Sequence, residues 1–541
     1  MNRRKFIRQA VFGSTLVFVP SALGAKKNRP ARVRATPPKP FALEEATIQQ
    51  LLRAMQSGQH TSRSLTKLYL KRIEALDRQG PVLRSVIQIN PDALAIAAAL
   101  DAERKSKGPR GPLHGIPVLL KDNLDTADRM PTTAGSLALA GSIAPKDAFV
   151  THKLREAGAV ILGKANLSEW ANMRSPHSSS GWSAVGGQTR NPYALDRTPS
   201  GSSSGSAVAT AANLCSIAIG TETDGSIVSP SSCNSLVGIK PTLGLVSRSG
   251  IVPIAHSQDT AGPMTRTVAD AAILLGVLAG IDPSDPITES SRGKAHADYA
   301  QFLDPHGLRG ARIGVVRKFF GFNERVDKLI NTALAELRRL GATIIDPAEF
   351  PNANRFGDAE LEVLLYELKA DMTTYLARRG PSVPVPSLKE IIEFNERNRD
   401  REMPFFGQEF FLRAEAKGPL TDKAYQEALE KCRRLSRAEG IDAVMNQHQL
   451  DALVAPTGGP PSVVDHVNGD HFVGGCSTLA AVAGYPHITV PAGYVLGLPI
   501  GLSFFGRPFS EPTLIKLAFA FEQATKARRP PRFLAEADLN L

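Results

Sequence analysis

Apolar side chains recur along the chain at two spacings, one typical of helices and one typical of buried strands. Residues 48–55 place their apolar side chains on one helical face, and Gly58 ends that helix. The hydroxyl of Thr61 can cap a second helix, whose inward face carries Leu65, Leu68, Tyr69, Ile73 and Leu76. The pattern therefore predicts that the folded part begins near residue 41 with two helices.

Continuous apolar runs predict strands that are buried on both faces. Residues 118–120 form such a run and end at Lys121, and residues 217–219 form another that gives way to small polar residues. A third run, at 159–162, follows a helix predicted over 147–157. Two of these strands therefore end in polar residues that can carry chemistry.

The second half of the chain continues the alternation. Residues 282–440 are more polar and helical, and we interpret them as an insertion on the core. Within this segment, a strand at 312–316, an amphipathic helix and a strand at 342–345 predict a βαβ unit. Beyond the segment, strands are expected at 452–455, 488–490 and 500–505. The alternation as a whole is typical of a layered α/β fold.

The stretch PSGSSSGSAVATAA, residues 199–212, admits three interpretations. A Gly/Ser linker would be flexible, but this stretch runs directly into an alanine-rich helix. Residues 201–205 also match the GxSxG turn of α/β-hydrolases, which needs a strand immediately before it, whereas a segment with two prolines precedes it here. The favoured interpretation is a loop at a helix N-terminus, where unpaired N–H groups collect.

A partial phosphate-binding motif runs from Gly158 to Lys164. Ala165 stands where the motif needs a hydroxyl to hold magnesium, and a predicted strand replaces the phosphate cradle. We therefore expect no nucleotide site there.

Three segments together resemble the signatures of the amidase signature family. They are HGIPVLLKDNLDT (114–126), PSGSSSGSA (199–207) and GTETDGSIVSP (220–230), and SQDTAGPMTRTVADAA (257–272) and LVAPTGGPP (453–461) extend the resemblance. It covers about residues 41–541. The stretch ANMRSPHSSSGWSAVGGQTRNPYALDR and the third signature are similar to the bacterial peptide amidase branch of the family.

The resemblance implies an α/β/α sandwich with a large mixed central sheet, as one catalytic domain over residues 41–541. It implies a hydrolase that forms an acyl-enzyme, with Ser226 as the nucleophile, Ser202 as a bridging serine reached through a cis Gly201–Ser202 peptide bond, and Lys121 as the base. Such a lysine must be neutral, and burial lowers a lysine pKa. No metal and no cofactor is implied.

The resemblance also implies how the substrate is held. The backbone N–H groups of Thr223, Asp224, Gly225 and Ser226 would form the oxyanion hole, and Asn172 and Asp224 are candidate substrate contacts. The expected substrate is a carboxamide that releases ammonia, above all the C-terminal amide of a peptide. Other small aryl or aliphatic amides, and the glutaminase-type subunit of an amidotransferase, remain as alternatives.

Charge is concentrated at the N-terminus. Of the formal net charge of +12, ten positive charges lie in residues 1–40, which hold no acidic residue, so the rest of the chain is near +2. A nucleic-acid partner is therefore not indicated. Residues 1–25 have the charged start and apolar run of a twin-arginine signal peptide, and residues 26–40 are a basic, Pro-rich spacer. We expect export to the periplasm or beyond, with no stable membrane span after removal of the signal.

The remaining candidate chemistry is weak. Four cysteines in 541 residues are not a disulfide framework, and their pairing is open from sequence: Cys215, Cys233, Cys432 and Cys476. Two Asp-His pairs, at 465–466 and 470–471, are interpreted as polar loop residues and not as a metal site. The oligomeric state is not encoded in any pattern that we recognise.

Overall fold

The computed structural model describes residues 40–353, 355–380 and 383–539. The predicted signal peptide, and the spacer except for Pro40, lie outside this part of the chain. No helix of the described residues is both long enough and apolar enough to cross a membrane.

Thirteen strands are present in the described residues. They are β1 (Val86–Ile89), β2 (Pro117–Lys121), β3 (Val160–Ala165), β4 (Trp182–Ser183), β5 (Gly187–Gln188), β6 (Ile217–Glu222), β7 (Val237–Lys240), β8 (Thr260–Thr265), β9 (Arg312–Val315), β10 (Thr343–Ile345), β11 (Ala452–Pro456), β12 (His487–Val495) and β13 (Leu498–Phe505). Eleven form one mixed sheet in the order β1-β3-β2-β6-β8-β7-β12-β13-β11-β9-β10, and β4 and β5 form a separate hairpin. The mixed sheet confirms the predicted fold class.

Helices flank this sheet. They are α1 (Ile48–Gln56), α2 (Ser62–Ile73), α3 (Ala93–Lys107), α4 (Phe149–Glu156), α5 (Ser204–Ala211), α6 (Val228–Cys233), α7 (Val268–Leu278), α8 (Glu324–Arg339), α9 (Gly357–Arg379), α10 (Leu388–Arg397), α11 (Arg399–Glu402), α12 (Glu409–Glu415), α13 (Lys423–Ser436), α14 (Asp442–His448), α15 (Ser477–Ala483) and α16 (Glu511–Thr525). The side chains of Thr47 and Thr61 cap α1 and α2, each in a reciprocal capping box.

The strands that the apolar runs predict are present. Every residue of β2, β3 and β6 is buried, which is why these strands read as continuous apolar runs without alternation. Strand β2 pairs in parallel with both β3 and β6. The carboxyl ends of β2 and β6 therefore meet at one edge of the sheet, directly beside α5.

The segment 282–440 contains both sheet and helix. Strands β9 and β10 pair in parallel with α8 between them, as the βαβ prediction requires, and β9 also pairs with β11. Helices α9 to α13 follow before the chain returns to the sheet. Strands β9 and β10 thus belong to the central sheet, and the purely helical part of this segment starts at α9.

Candidate active site

Lys121 is the last residue of β2 and lies in the interior with none of its surface exposed. Its Nζ donates hydrogen bonds to Ser202 Oγ at 2.7 Å and to Thr221 Oγ1 at 2.8 Å. Among the described residues, no carboxylate forms a salt bridge with it. Burial lowers the pKa of Lys121 to about 7, while the charges of Asp259 and Glu222 oppose that change. An amine in this setting is available as a base near neutral pH.

Ser202 lies in the loop before α5, and Ser226 lies in the turn after β6. The Gly201–Ser202 peptide bond is cis, as the family resemblance implied. The Ser203 N–H donates to the Ser226 carbonyl at 3.2 Å, which ties the loop to the turn. A Cβ at Gly201 would lie 2.2 Å from Ser168 Oγ, so only glycine fits there.

The side chains of Ser202 and Ser226 line one small cavity of about 10 Å³. Ser202 is fully buried and Ser226 is 9% exposed. Among the described residues, no direct hydrogen bond joins the two hydroxyls. The cavity therefore brings together the two serines that the sequence analysis singled out. Its other walls come from Asn123, Ala171, Thr221, Thr223, Ile251, Val252, Ile254, Asp259 and Thr260.

The turn from 223 to 226 presents backbone donors. The Glu222 carboxylate accepts the N–H groups of Ile227 at 2.8 Å and Val228 at 3.0 Å, which closes the turn from behind. The four backbone N–H groups of residues 223–226, which lie between Glu222 and Ile227, have no acceptor among the described residues. Gly225 has φ +77°, a left-handed conformation that favours glycine. A set of unpaired N–H groups beside a serine is the geometry of an oxyanion hole.

A second set of contacts holds this turn in place. Thr223 Oγ1 donates to Asp259 Oδ1 at 2.5 Å, and Gln258 Nε2 donates to the Thr223 carbonyl at 3.2 Å and to Glu360 Oε1 at 3.0 Å. Burial raises the pKa of Asp259 to about 6. The segment before β8 thus holds Thr223 in place, and Glu360 of α9 in turn holds Gln258.

The two predicted substrate contacts lie outside the lining of the cavity. Asp224 accepts a hydrogen bond from Thr478 Oγ1 at 2.6 Å, and burial raises its pKa. Asn172 has φ +69° and its Nδ2 lies 3.5 Å from Ser180 Oγ, while the neighbouring Ala171 is the residue of this segment that reaches the cavity. Their predicted role in substrate binding stays a prediction.

Sequence reasoning missed several residues of the site. Thr221 bonds the Lys121 amine, Asn123 lines the cavity, and Asp259 fixes Thr223. Asn123 and Asp259 fall inside the segments that carried the resemblance, but no spacing rule links them to the serines. Only the pairing of β2, β6 and β8 brings these side chains together.

A larger cleft adjoins the catalytic cavity. It has a volume of about 1150 Å³ and shares Ile251 and Asp259 with the smaller cavity. His256 lies in its wall and contacts Asp371 through Nδ1 at 2.9 Å and Glu367 through Nε2 at 3.4 Å. The cleft provides room for a substrate much longer than a simple amide.

The structure places the four cysteines and the two Asp-His pairs. The four cysteines are free and buried. Asp465 accepts N–H groups of its own turn, Asp470 accepts the Ser180 N–H at 2.9 Å, and the His466 ring stacks on Phe405. These contacts are those of loop residues.

Similarity to known proteins shows the family of this chain. The Amidase family matches residues 64–515. A probable amidase of Arabidopsis thaliana is 45% identical over 504 residues, covering 92% of this chain and 93% of that protein. The chain belongs to the amidase signature family. Its activity is therefore the hydrolysis of C–N bonds other than peptide bonds.

Two further relatives define the range within the family. The crystal structure of peptide amidase from Stenotrophomonas maltophilia is 53% identical with a TM-score of 0.87, and the match covers 91% of this amidase and all of that chain. A glutamyl-tRNA(Gln) amidotransferase component of Pseudomonas aeruginosa is 36% identical over 496 residues, covering 89% and 98% of the two chains. Both matches extend over nearly the whole described part of this amidase.

Proposed function

We propose that this amidase releases ammonia from the C-terminal carboxamide of a peptide, through an acyl-enzyme on Ser226. The observation that carries the proposal is the 2.7 Å contact between Lys121 Nζ and Ser202 Oγ, at the wall of the cavity that Ser226 also lines. The lowered pKa of Lys121, about 7, supplies a neutral amine at physiological pH.

Proton transfer follows from that contact. With Lys121 neutral, the Ser202 hydroxyl donates to Nζ and its oxygen accepts the proton of Ser226 when substrate closes the gap between them. Ser226 Oγ then attacks the carboxamide carbon, and one proton moves from Ser226 to Ser202 as another moves from Ser202 to Lys121. The proton returns along the same path to the departing nitrogen, which leaves as ammonia. Water then attacks the acyl-enzyme and gives up its proton along the same path. Ser226 recovers its proton as the acid is released.

The backbone donors have a matching task. The N–H groups of residues 223–226 would bind the negative charge that develops on the carbonyl oxygen. Because the Glu222 carboxylate holds the two following N–H groups, the turn does not need to reorganise during the reaction. Losing one such donor typically costs about 2.7–4 kcal/mol of transition-state stabilisation.

The preference for peptide amides rests on two supports. Identity to the peptide amidase of Stenotrophomonas maltophilia is 53%, against 36% for the amidotransferase component of Pseudomonas aeruginosa. The cleft of about 1150 Å³ beside the catalytic cavity can accept a chain extending from the scissile group. A glutaminase-type subunit remains the second candidate, because its relatives cover almost the same residues.

Ammonia release tests the proposal directly. The purified protein is incubated with one peptide in four forms: C-terminal amide, free acid, and the free acid containing an internal Gln or Asn. We expect ammonia from the C-terminal amide alone. Faster release from free glutamine, or stable co-purification with partner proteins, would favour the glutaminase-type alternative.

We also propose that the protein is exported by the twin-arginine route. The support is the sequence of residues 2–25, with Arg3 and Arg4 before an apolar run. Replacing both arginines by lysine keeps the charge but removes the paired arginines. Activity should move from the periplasmic to the cytoplasmic fraction in that variant, and an unchanged distribution would contradict the route.

A further inference from the structure

The side-chain oxygen of Asn123 is a buried hydrogen-bond acceptor without a donor among the described residues. Asn123 lies two residues beyond Lys121 and is 3% exposed. Its Nδ2 donates to Thr221 Oγ1 at 2.9 Å, and the Val252 N–H donates to its backbone carbonyl at 2.9 Å. Its Oδ1 has no hydrogen-bond partner among the described residues. Leaving such an oxygen unpaired is costly, so a missing donor is expected.

The position of Asn123 indicates where that donor comes from. Its side chain lines the catalytic cavity together with Ser202 and Ser226. It also lines a neighbouring apolar pocket, which shares three further residues with the catalytic cavity and is closed by Trp170, Leu368, Met372 and Phe411. Asn123 therefore lies at the border between the reacting carbonyl and a pocket suited to a small apolar side chain.

A C-terminal amino-acid amide fits this border in one arrangement. Its α-carbon carries the scissile carboxamide, the side chain and the backbone N–H. With the carboxamide beside Ser226 and the side chain in the apolar pocket, the α-carbon lies next to Asn123. The N–H on that carbon then offers Asn123 Oδ1 a donor that a simple aliphatic amide lacks.

We propose that Asn123 is a specificity-determining residue that accepts the backbone N–H of the residue bearing the C-terminal amide. The Thr221 hydroxyl holds the amide group of Asn123 so that Oδ1 faces the substrate. This inference rests on the proposed peptide amide activity and explains how the enzyme would distinguish an amidated peptide from a simple aliphatic amide. The two serines and Lys121 cannot distinguish these two substrates, because both substrates present the same carboxamide.

Two substrates that differ in a single group test this role. N-acetyl-alanine amide has the N–H, and O-acetyl-lactamide replaces that N–H with an ester oxygen while keeping shape and methyl side chain. Ammonia release gives kcat/KM for each. We expect the wild-type enzyme to prefer the N–H substrate by about 10- to 100-fold, because the ester oxygen leaves Oδ1 unpaired. In Asn123→Ala the preference should fall to near one.

The ratio of the two substrates separates this role from a structural one. Loss of Asn123 also removes a contact of Thr221, which can disturb Lys121, but that disturbance slows both substrates equally and leaves the ratio unchanged. Asn90→Ala is the matched control, since Asn90 is equally buried and directly follows β1 at the outer edge of the sheet. It should keep the wild-type ratio.

Three outcomes overturn the inference. A wild-type ratio near one would show that the N–H is not read. A wild-type ratio that persists in Asn123→Ala would assign the reading to another residue. If Asn123→Ala does not fold, Asn123→Ser replaces it, because the serine side chain is too short to reach the substrate. A wild-type ratio in Asn123→Ser would then overturn the inference. Failure of the wild-type enzyme to release ammonia from either substrate is a different result, because it refutes the proposed peptide amide activity itself.

Discussion

Lys121 Nζ lies 2.7 Å from Ser202 Oγ, and this contact joins the end of strand β2 to the loop before α5. The amine has hydroxyl and carbonyl oxygens as its hydrogen-bond partners. Without a carboxylate contact to stabilise the ammonium form, burial governs its pKa.

Ser226→Ala removes the attacking oxygen. We expect kcat to fall by at least about 1000-fold, because the other hydroxyl of the turn, that of Thr223, is engaged with Asp259. The melting temperature should change little, since Ser226 contributes its carbonyl, not its side chain, to the contact with Ser203. Ser229→Ala, three residues along the chain, is the control and should retain activity. Turnover in Ser226→Ala close to wild type would reject this serine as the nucleophile.

Lys121→Arg keeps a long basic side chain but replaces a neutral amine with a permanent positive charge, which removes the base. An arginine side chain cannot lose its proton in a protein, so we expect a loss of about 100- to 10,000-fold in kcat. Lys146→Arg, in the wall of the larger cleft, makes the same change away from the serines and should be nearly neutral. Substantial activity in Lys121→Arg would mean that another group accepts the proton.

The pH profile should report the Lys121 amine. Because the base acts only when neutral and its pKa is about 7, kcat/KM should fall tenfold per pH unit below about pH 7 and level off above it. Thr221→Val removes a hydrogen-bond acceptor from the amine, which disfavours the ammonium form and should move the acid limb to lower pH. A profile governed by a group with a pKa near 4 would contradict the assignment.

The same pKa makes the stability of the protein depend on pH. Lys121 ionises near pH 10.5 when unfolded and near 7 when folded, so the unfolded state binds more protons between these values. Stability should therefore rise with pH across this window as far as this residue is concerned. Lys121→Met should raise the free energy of unfolding at pH 7 and flatten its rise between pH 7 and 10, measured by urea denaturation. A steeper rise in the variant would be inconsistent with a buried amine.

Gly225→Ala tests the shape of the donor turn. A side chain at φ +77° costs about 1–2 kcal/mol, and its Cβ would meet Ser477 Oγ at 2.9 Å. We expect kcat to fall by about 10- to 100-fold with a smaller change in KM, because the N–H groups shift from the oxyanion position. Gly58→Ala provides the matched control. Gly58 has φ +76° with open space around it, so that variant should lose similar stability and no activity.

Much of the fold is readable from the sequence because its central strands are buried on both faces. The apolar runs predict both β2 and β6 as strands. The run predicts the end of β2 at Lys121, whereas β6 continues beyond its apolar run through Thr221 to Glu222. Strand β8 is not visible in this way, because Gly262 and Pro263 argue against a strand. The structure accommodates Pro263 because the ladder with β7 stops at Met264.

Some residues of the candidate site are predictable from the sequence and others are not. Lys121, Ser202 and Ser226 follow from the family resemblance, which rests on segments that are each contiguous in the chain. Asn123 and Asp259 do not, because their roles come from contacts that arise only after β2, β6 and β8 have paired. An unpaired buried oxygen such as Asn123 Oδ1 is a property of three-dimensional packing and leaves no trace in residue spacing.

The turn at residues 223–226 has a consequence for the end of the catalytic cycle. In the proposed mechanism, its N–H groups contact a neutral carboxamide at the start and a carboxylate once the acid has formed. Since an anion binds such donors more strongly than a neutral carbonyl does, we expect the enzyme to hold on to the acid after ammonia has diffused away. Departure of the acid would then limit the steady-state rate, and added acid, but not added ammonium, should inhibit competitively.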